Sequence, residues 1–268
     1  MRVAFIGDII GRPGREMLKE HLDSLKQEHS IDFAIANYEN ASHGFGLTKK
    51  NKDELLGYGV DVLSGGNHTW DKKEIFDFID EPYILRPINY PLGVAGSGCR
   101  VYEVNSSKLA VVNILGHYAM PMVENPFLSA KRCVDELHSS GVKNIFIDFH
   151  AEATSEKRAL MMLLQGRVSA ISGTHTHVSS DDLHIAFGTA YISDIGLTGC
   201  RDNVIGMDKE APLQQFLTGV KSHFDIPKKC KKILQMLIVD IEDGKAVAAK
   251  KIKLFDNLQT ITTDAWVE

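Results

Sequence analysis

The chain has 268 residues, a formal net charge of -5 from 30 Lys and Arg against 35 Asp and Glu, and a hydrophobic fraction of 44%. This length and apolar fraction allow a sizeable core and exclude a disordered or collagen-like chain. The mildly acidic balance, without a long block of Lys or Arg, argues against stable nucleic-acid binding but permits a small anionic substrate at a local site.

Short β-branched runs alternate with helical segments in the first part of the chain, which is typical of an α/β fold with a substantial sheet. Pro13 suits a first helical turn, and Thr48 can cap a second helix through Leu56. In chain order the predicted elements are strand 2–6, helix 13–26, strand 32–37, helix 48–56 and strand 60–64. Each strand is followed at once by glycine or polar residues.

The second part of the chain begins with an irregular stretch between residues 84 and 115 that contains two strands, 99–104 and 109–115. Beyond it we predict helix 129–139, strand 144–149, helix 156–164, strand 168–172, strand 189–193, helix 213–220, strand 234–241 and strand 247–253. No repeat or Pro, Gly and Ser-rich linker interrupts these elements. We therefore expect residues 1–268 to form a single domain, and the composition is compatible with a homo-oligomer.

The four cysteines are scattered and form no C-x-x-C pair: Cys99, Cys133, Cys200 and Cys230. This spacing favours isolated reduced thiols over a disulfide framework or a structural zinc site, and hence a cytoplasmic protein. The first ten residues are interrupted by Asp8 and do not resemble a signal peptide. No apolar run approaches the roughly 18 residues of a membrane span, so no membrane association is expected.

Polar residues follow five of the predicted strands directly: Asp8, Glu39 with Asn40, Asn67 with His68, His150, and His175 with His177. In open α/β sheets this edge binds ligands. Each residue alone has an ordinary explanation, such as a turn for Asp8 or a core histidine for His150. Because they coincide at equivalent strand ends, and because carboxylate, amide and imidazole groups suit borderline divalent ions, we predict a metal site.

The charge of such a site narrows its chemistry. Asp8 and Glu39 supply two negative charges and the remaining ligand candidates are neutral, so two divalent ions leave a formal charge of +2, or +1 with one bound hydroxide. A positive site favours an anionic phosphate ester, and two metals suit in-line attack by hydroxide on phosphorus. The residues therefore predict phosphoester hydrolysis.

Several motifs resemble those of the calcineurin-like metallophosphoesterases, and more closely their bacterial YmdB-like branch. They are GDIIGRPG at 7–14, NYENA at 37–41, GNHTW at 66–70, DFHAEATSEK at 148–157, GTHTH at 173–177 and DIGLTG at 194–199. The resemblance covers nearly the whole chain in order. It implies an αββα four-layer sandwich with mixed β-sheets and a phosphodiesterase whose leading substrates are 2′,3′-cyclic nucleotides, with iron, manganese or both as metals.

The resemblance also implies roles for the strand-end residues. One metal would be held by Asp8, Glu39, Asn40 and His177, and the other by Glu39, Asn67, His150 and His175. Glu39 would bridge the two ions. His68 is left without a metal and would be the general acid that protonates the leaving oxygen.

This chain departs from the wider superfamily at three positions. Ile10 stands where the common first motif has histidine, and Asn40 would supply the missing ligand as an amide oxygen. Glu39 replaces a bridging Asp, and Thr69 replaces the usual Glu after Asn-His. Metal identity and substrate range therefore cannot be transferred from the wider superfamily.

Four further residues are candidates for supporting roles. Arg12 and Arg15 could hold a substrate phosphate, although a solvated helix start is the more common setting for such arginines. His43 lies in a Gly-rich loop that could border the pocket, and Glu152 could orient His150 or another ligand.

Two other functions remain open at this point. A phosphomonoesterase or nucleotidase would use the same ions with different pocket walls, and a metal-containing regulatory protein would bind nucleotides or RNA-processing partners without turnover. Because pure binding needs no positioned proton donor, His68 favours catalysis.

Overall fold

The computed structural model describes residues 1–268. Its strands are β1 (Arg2–Ile6), β2 (Phe33–Asn37), β3 (Val62–Ser64), β4 (Cys99–Val104), β5 (Ser107–Leu115), β6 (Asn144–His150), β7 (Ala170–Thr174), β8 (His184–Ala186), β9 (Thr189–Ile192), β10 (Gly199–Cys200), β11 (Lys232–Glu242), β12 (Lys245–Phe255), β13 (Thr260–Asp264) and β14 (Trp266–Val267). Its α-helices are α1 (Gly11–Glu28), α2 (Lys49–Gly57), α3 (Pro126–Ser139), α4 (Thr154–Leu164) and α5 (Glu210–Thr218). None of the helices combines the length and the apolar composition that crossing a membrane requires.

The strands form two mixed sheets of seven strands each. The first has the order β13-β12-β11-β1-β2-β3, with β10 beside β11, and the second has the order β14-β8-β9-β7-β6-β5-β4. In the first sheet β1, β2 and β3 are parallel and β11 is antiparallel to β1. In the second sheet β5, β6, β7 and β9 are parallel. The carboxyl ends of the parallel strands in each sheet therefore lie along one edge.

Alternation along the strands places a separate core on each face of the first sheet. Phe5 of β1 packs between the sheets, where its ring centroid lies 5.2 Å from that of Phe146 in β6. Ile6, the next residue, packs on the outer face of the sheet with Leu18 of α1. It belongs to the core that α1 and α2 cover. A third core lies under α3 and α4 on the second sheet. The order of layers is α, β, β, α, which confirms the predicted four-layer sandwich.

Most element boundaries lie close to those predicted, and the deviations have local causes. Thr48 caps α2 as predicted, with its hydroxyl accepting from Asn51 N. Helix α3 begins at Pro126 rather than at residue 129 because the Asn125 side chain accepts from two backbone N–H groups of its first turn. Helix α5 covers Glu210–Thr218 rather than residues 213–220, and it stops there because Gly219, with a φ of 71°, forms a left-handed cap. The short strands β8, β10, β13 and β14 carry no long alternating run and were not predicted.

The expectation of four isolated reduced thiols is wrong for one pair. Cys200 and Cys230 form a disulfide across 30 residues, whereas Cys99 and Cys133 are free. The pairing follows from the sheet, because β10 lies antiparallel to β11 with Cys200 opposite Lys232, two residues beyond Cys230. Cysteine spacing alone does not reveal a contact that strand pairing creates, and the cysteines thus lend less support to a cytoplasmic location.

Candidate active site

Polar side chains lie at the carboxyl ends of five strands, three in the first sheet and two in the second. The loops after β1, β2 and β3 contribute Asp8, Glu39, Asn40 and Asn67. The second sheet contributes His150, the last residue of β6, and two residues that follow β7, His175 and His177. The two sets of residues contact each other across the sheets. For example, the backbone N–H of His175 donates to Asp8 Oδ2 at 3.2 Å. The structure thus brings together all seven predicted metal ligands.

The seven residues form two groups that share one carboxylate. Ligand atoms of Asp8, Glu39 and His177 all lie within 4.8 Å of one another, and so do those of Glu39, His150 and His175. Two amide oxygens extend these groups. Asn40 Oδ1 lies 3.2 Å from His177 Nε2, and Asn67 Oδ1 lies 3.0 Å from His150 Nε2. The grouping matches the two ligand sets that the family resemblance implies.

The hydrogen bonds of His150 direct one of its ring nitrogens into the cluster. The Thr174 hydroxyl donates to buried Asp148 at 2.7 Å, so it must accept from His150 Nδ1, 2.9 Å away. His150 Nε2 then faces Glu39 Oε2 at 3.0 Å and His175 Nδ1 at 3.1 Å. One position beside this nitrogen is therefore surrounded by atoms that bear lone pairs.

His177 and Asn40 are oriented in the same way. His177 Nδ1 donates to the Ile205 carbonyl at 2.8 Å, which leaves Nε2 as the acceptor nitrogen of the neutral ring. The Asn40 amide nitrogen donates to Gly44 O at 2.8 Å, which turns Oδ1 toward His177. Two acceptors thus face each other at 3.2 Å with no proton between them. A cation between such atoms resolves their repulsion.

Glu152 orients His175 rather than His150. His175 Nε2 lies 3.2 Å from Glu152 Oε2, so the hydrogen of the neutral ring is on Nε2 and the lone pair on Nδ1 turns inward. A carboxylate that fixes the tautomer of a ligating histidine is a common partner of metal sites.

Burial and neighbouring charges shift the pKa values of the ionisable residues in the cluster. Burial raises the pKa of Asp8 well above its usual range. Burial also opposes ionisation of Glu39, but the charge and hydrogen bond of His150 outweigh it and hold the Glu39 pKa far below its usual range. Burial lowers the pKa of His150, yet Glu39, Asp8 and Asp148 raise it to about 9. Burial and the charge of His150 lower the pKa of His175 to about 3.

These features fit a divalent metal centre. The one proton that His150 Nε2 can carry faces lone pairs on several neighbouring residues and can bond to only one of them at a time. In addition, Asp8 Oδ1 is buried with no hydrogen-bond partner. The donor set of carboxylate, amide and imidazole groups, without thiolate, suits borderline divalent ions. Gly66 leaves the necessary space, because a Cβ there would clash with Glu39 Oε2. Metal binding would replace the proton on His150.

His68 lies beside the two groups without belonging to either. Its backbone N–H donates to Glu39 Oε2 at 3.2 Å, and its Nδ1 lies 2.8 Å from Asp71 Oδ2. The half-buried ring lines a cavity of about 340 Å³ together with Glu39, His175 and others. Sequence reasoning missed Asp71, although its position three residues after His68 in the same turn was the available signal.

Arg12 and His43, two of the candidates for contact with the substrate, do not reach this cavity. Arg12 is exposed and pairs with Glu16 at 2.7 Å, and His43 is exposed at a φ of 58°. Neither lines the cavity. Arg15 instead holds the loop after β2, since its guanidinium donates to the Ala41 carbonyl at 2.6 Å.

A buried ion pair, which sequence reasoning also missed, supports the segment between the two histidines after β7. Lys157 Nζ lies 2.8 Å from Asp194 Oδ2, and the two side chains are 1% and 4% exposed. The same oxygen accepts from the backbone N–H and hydroxyl of Thr176. His175 and His177 flank Thr176 with φ values of 97° and 64°, which are unusual for non-glycine residues. The pair therefore stabilises a strained segment that carries two ligand candidates.

Replacing Lys157 with Met is expected to lower the free energy of unfolding by about 3–5 kcal/mol, because it leaves a buried carboxylate without its counter-charge. Urea denaturation measures this change. Lys131→Met is the matched control, since Lys131 pairs with Asp135 at 3.0 Å on the surface and its loss should cost no more than about 1 kcal/mol. Equal losses in the two variants would contradict the supporting role of Lys157.

Comparison with known proteins agrees with this geometry. The model of the family described as YmdB-like protein matches residues 4–253. The chain is 46% identical over 264 residues to the 2′,3′-cyclic-nucleotide 2′-phosphodiesterase of Bacillus subtilis (strain 168), over 96% of this chain and 98% of that protein.

Solved structures agree in fold. A hypothetical protein from Thermus thermophilus has a TM-score of 0.88 at 35% identity, over 99% of this chain and 100% of its own. A novel phosphatase from Mycoplasma pneumoniae has the same TM-score and identity, over 95% and 93%. A 5′-nucleotidase precursor from Thermus thermophilus, with 12% identity and a TM-score of 0.56, shares the fold over 95% of this chain and 54% of its own. The resemblance found in the motifs is thus confirmed, and the chain belongs to the YmdB-like protein family.

Proposed function

We propose that this protein is a metal-dependent phosphodiesterase that hydrolyses 2′,3′-cyclic nucleotides at the bond to the 2′ oxygen. The proposal includes two divalent ions, iron or manganese, held by the two ligand groups that share Glu39, and His68 as the general acid. The named activity of the Bacillus subtilis relative supports the substrate class.

One observation carries the proposal. Two ligand groups joined by Glu39 open into the same cavity as His68, a histidine that belongs to neither group. A site for binding alone needs ligands, whereas hydrolysis of a phosphoester also needs a proton donor for the leaving oxygen. The arrangement therefore supports catalysis over binding without turnover.

The ligand groups determine the charge of the site. Of the seven proposed ligands, Asp8 and Glu39 are carboxylates and the other five are neutral groups. Two bound divalent ions would supply Lewis-acid activation of water and neutralisation of charge on the phosphoryl oxygens. The excess of positive charge favours a substrate with one negative charge on phosphorus.

His68 donates the proton that the leaving 2′ oxygen takes up. Asp71 holds Nδ1 at 2.8 Å and fixes the ring, which leaves Nε2 as the nitrogen that can donate to the 2′ oxygen. A water molecule adds its hydroxyl group to phosphorus and releases its other proton to solvent, while the bond from phosphorus to the 2′ oxygen breaks and the proton of His68 passes to that oxygen. His68 then takes up a proton from solvent, which completes the turnover. The product is a nucleoside 3′-phosphate.

The proposal has three further parts. Residues 1–268 act as a single catalytic domain, the protein works in the cytoplasm, and its surface permits a homo-oligomer without stable nucleic-acid binding. Limited proteolysis, cell fractionation and light scattering measure these properties independently of activity.

The direct test is hydrolysis of 2′,3′-cyclic AMP by protein reconstituted with Mn²⁺ or Fe²⁺, compared with chelated protein and with His68→Ala. We expect metal-dependent formation of 3′-AMP that falls in the variant. Hydrolysis of 3′-AMP without hydrolysis of the cyclic diester would instead establish a phosphomonoesterase. Absence of any turnover in protein that holds two metals would overturn the proposal in favour of a regulatory role.

A further inference from the structure

The cavity beside the ligand groups has one apolar side. Four hydrophobic residues line it: Phe45, Ile205, Met207 and Phe224. Glu39, His68 and His177 lie on the polar side. None of the apolar side chains can ligate a metal strongly or transfer a proton, so the proposed hydrolysis of the phosphate does not use them. A cavity with metal ligands on one side and apolar side chains on the other suits a substrate with an anionic group and an apolar ring.

Phe45 is positioned by the residues of the metal site itself. It lies between Gly44 and Gly46, whose φ values of 92° and 69° suit glycine. The Gly44 carbonyl accepts from the Asn40 side chain at 2.8 Å, so the loop is bound to a proposed ligand. The phenyl ring lies against His68, with ring centroids 4.9 Å apart and planes inclined at 71°.

The rest of the apolar side comes from the segment between the two disulfide-bonded cysteines. Ile205 in this segment accepts the hydrogen bond of His177 Nδ1 at 2.8 Å. Met207 is buried against the loop that carries Phe45, since a Cβ on Gly44 would lie 2.8 Å from Met207 Cε. Half-buried Phe224 packs with the small apolar cluster that contains Met207. Both parts of the apolar side are thus attached to groups of the metal site.

The chemistry of a 2′,3′-cyclic nucleotide explains this placement. His68 protonates the 2′ oxygen in the proposed reaction, and only the C2′ and C1′ carbons separate that oxygen from the nucleobase. The base must therefore lie close to His68 whenever the leaving oxygen is in position. Phe45 is the aromatic side chain in contact with His68 on the cavity wall.

We propose that Phe45 is the nucleobase-stacking residue of this protein, with Phe224, Ile205 and Met207 completing the apolar surface that receives the base. The inference rests on the proposed function and deepens it, because it assigns the determinant that selects nucleotides over phosphodiesters without a base. Apolar side chains respond to ring area and not to the hydrogen-bonding edge, so we expect activity on all four bases with a preference for purines.

The test compares two cyclic diesters with the same reacting bond. One is 2′,3′-cyclic AMP, and the other is glycerol 1,2-cyclic phosphate, which has the five-membered ring and no base. In the Mn²⁺ protein, Phe45→Ala is expected to lower the ratio of kcat/KM for the nucleotide to that for the glycerol ester by about 10- to 100-fold. The change should lie mainly in KM for the nucleotide. Phe45→Trp, which keeps an aromatic face, should preserve the preference for the nucleotide.

Two controls make the outcome specific. Phe216→Ala removes an exposed ring from α5 and should leave the ratio unchanged. Phe45→Leu keeps apolar volume without a ring and replaces the alanine variant if that variant loses metal or fails to fold.

Adenosine should also inhibit hydrolysis of the glycerol ester by the wild-type protein, and less strongly in the Phe45 variants.

The possible failures can be told apart. An equal fall for both diesters, or no fall for either, would overturn the stacking role of Phe45 while leaving the proposed phosphodiesterase intact. A wild-type protein that holds metal and hydrolyses neither diester would overturn the proposed function and this inference with it.

Discussion

Replacing Glu39 with Gln is expected to remove metal from both ligand groups and to lower kcat/KM for 2′,3′-cyclic AMP by more than about 100-fold. Loss of an outer partner of a metal ligand typically costs about 10- to 100-fold in affinity or activity, and loss of a shared ligand should cost more. Gln keeps the size of the side chain but replaces a charged oxygen, 3.0 Å from His150 Nε2, with a neutral amide group. Metal analysis per chain and steady-state kinetics measure the two effects.

The matched control for Glu39 is Glu28→Gln at the end of α1, where the side chain is 69% exposed. This variant should retain metal and activity. Circular dichroism establishes that both variants fold. Normal metal content and normal rates in folded Glu39→Gln protein would show that the shared carboxylate is not a ligand, and the proposed centre would have to be abandoned.

Replacing His68 with Asn is expected to lower kcat for 2′,3′-cyclic AMP by about 10²- to 10⁴-fold, the usual contribution of general acid catalysis. Metal content should not change, because His68 belongs to neither ligand group. The loss should be much smaller for a p-nitrophenyl phosphodiester, since p-nitrophenolate leaves without taking up a proton. Kinetics on the two substrates therefore separate proton transfer from a general loss of structure.

Two variants complete the test of His68. Asp71→Asn removes the carboxylate that holds Nδ1 and should lower kcat less than removal of the imidazole does. His223→Asn changes a histidine that is 78% exposed and should have no effect. A loss in His68→Asn that is equal for both leaving groups would contradict the role of general acid.

The sequence predicts where the ligand candidates lie, because each stands at the end of a strand or within three residues of it. Glu39 follows the β-branched and apolar run of β2, and His150 ends that of β6, so the position of the strand fixes the position of the side chain. The pattern also predicts the layers, since alternate residues of β1 pack on opposite faces. Local patterns of this kind depend only on neighbouring residues.

The remaining parts of the site depend on contacts that no local pattern describes. Phe45 and Phe224 come from loops far apart in the sequence, and neither lies in a periodic run. Lys157 is a charged residue in an amphipathic helix, and only the buried position of Asp194 reveals why it faces inward. The disulfide of Cys200 likewise depends on the pairing of β10 with β11. Long-range packing decides these features, and periodicity does not contain that information.

The origin of the ligand candidates in both sheets has a thermodynamic consequence. Asp8 and Glu39 belong to the loops of one sheet, and His150 and His175 belong to the other. Ions bound by the proposed ligands would link the two sheets of the sandwich. The unfolded chain does not hold these ligands together, so the ions would bind the folded state in preference. Free metal at about 100 times its dissociation constant would add about 2.7 kcal/mol to the free energy of unfolding. The free metal concentration in the cell would then set the fraction of the chain that is folded as well as its catalysis.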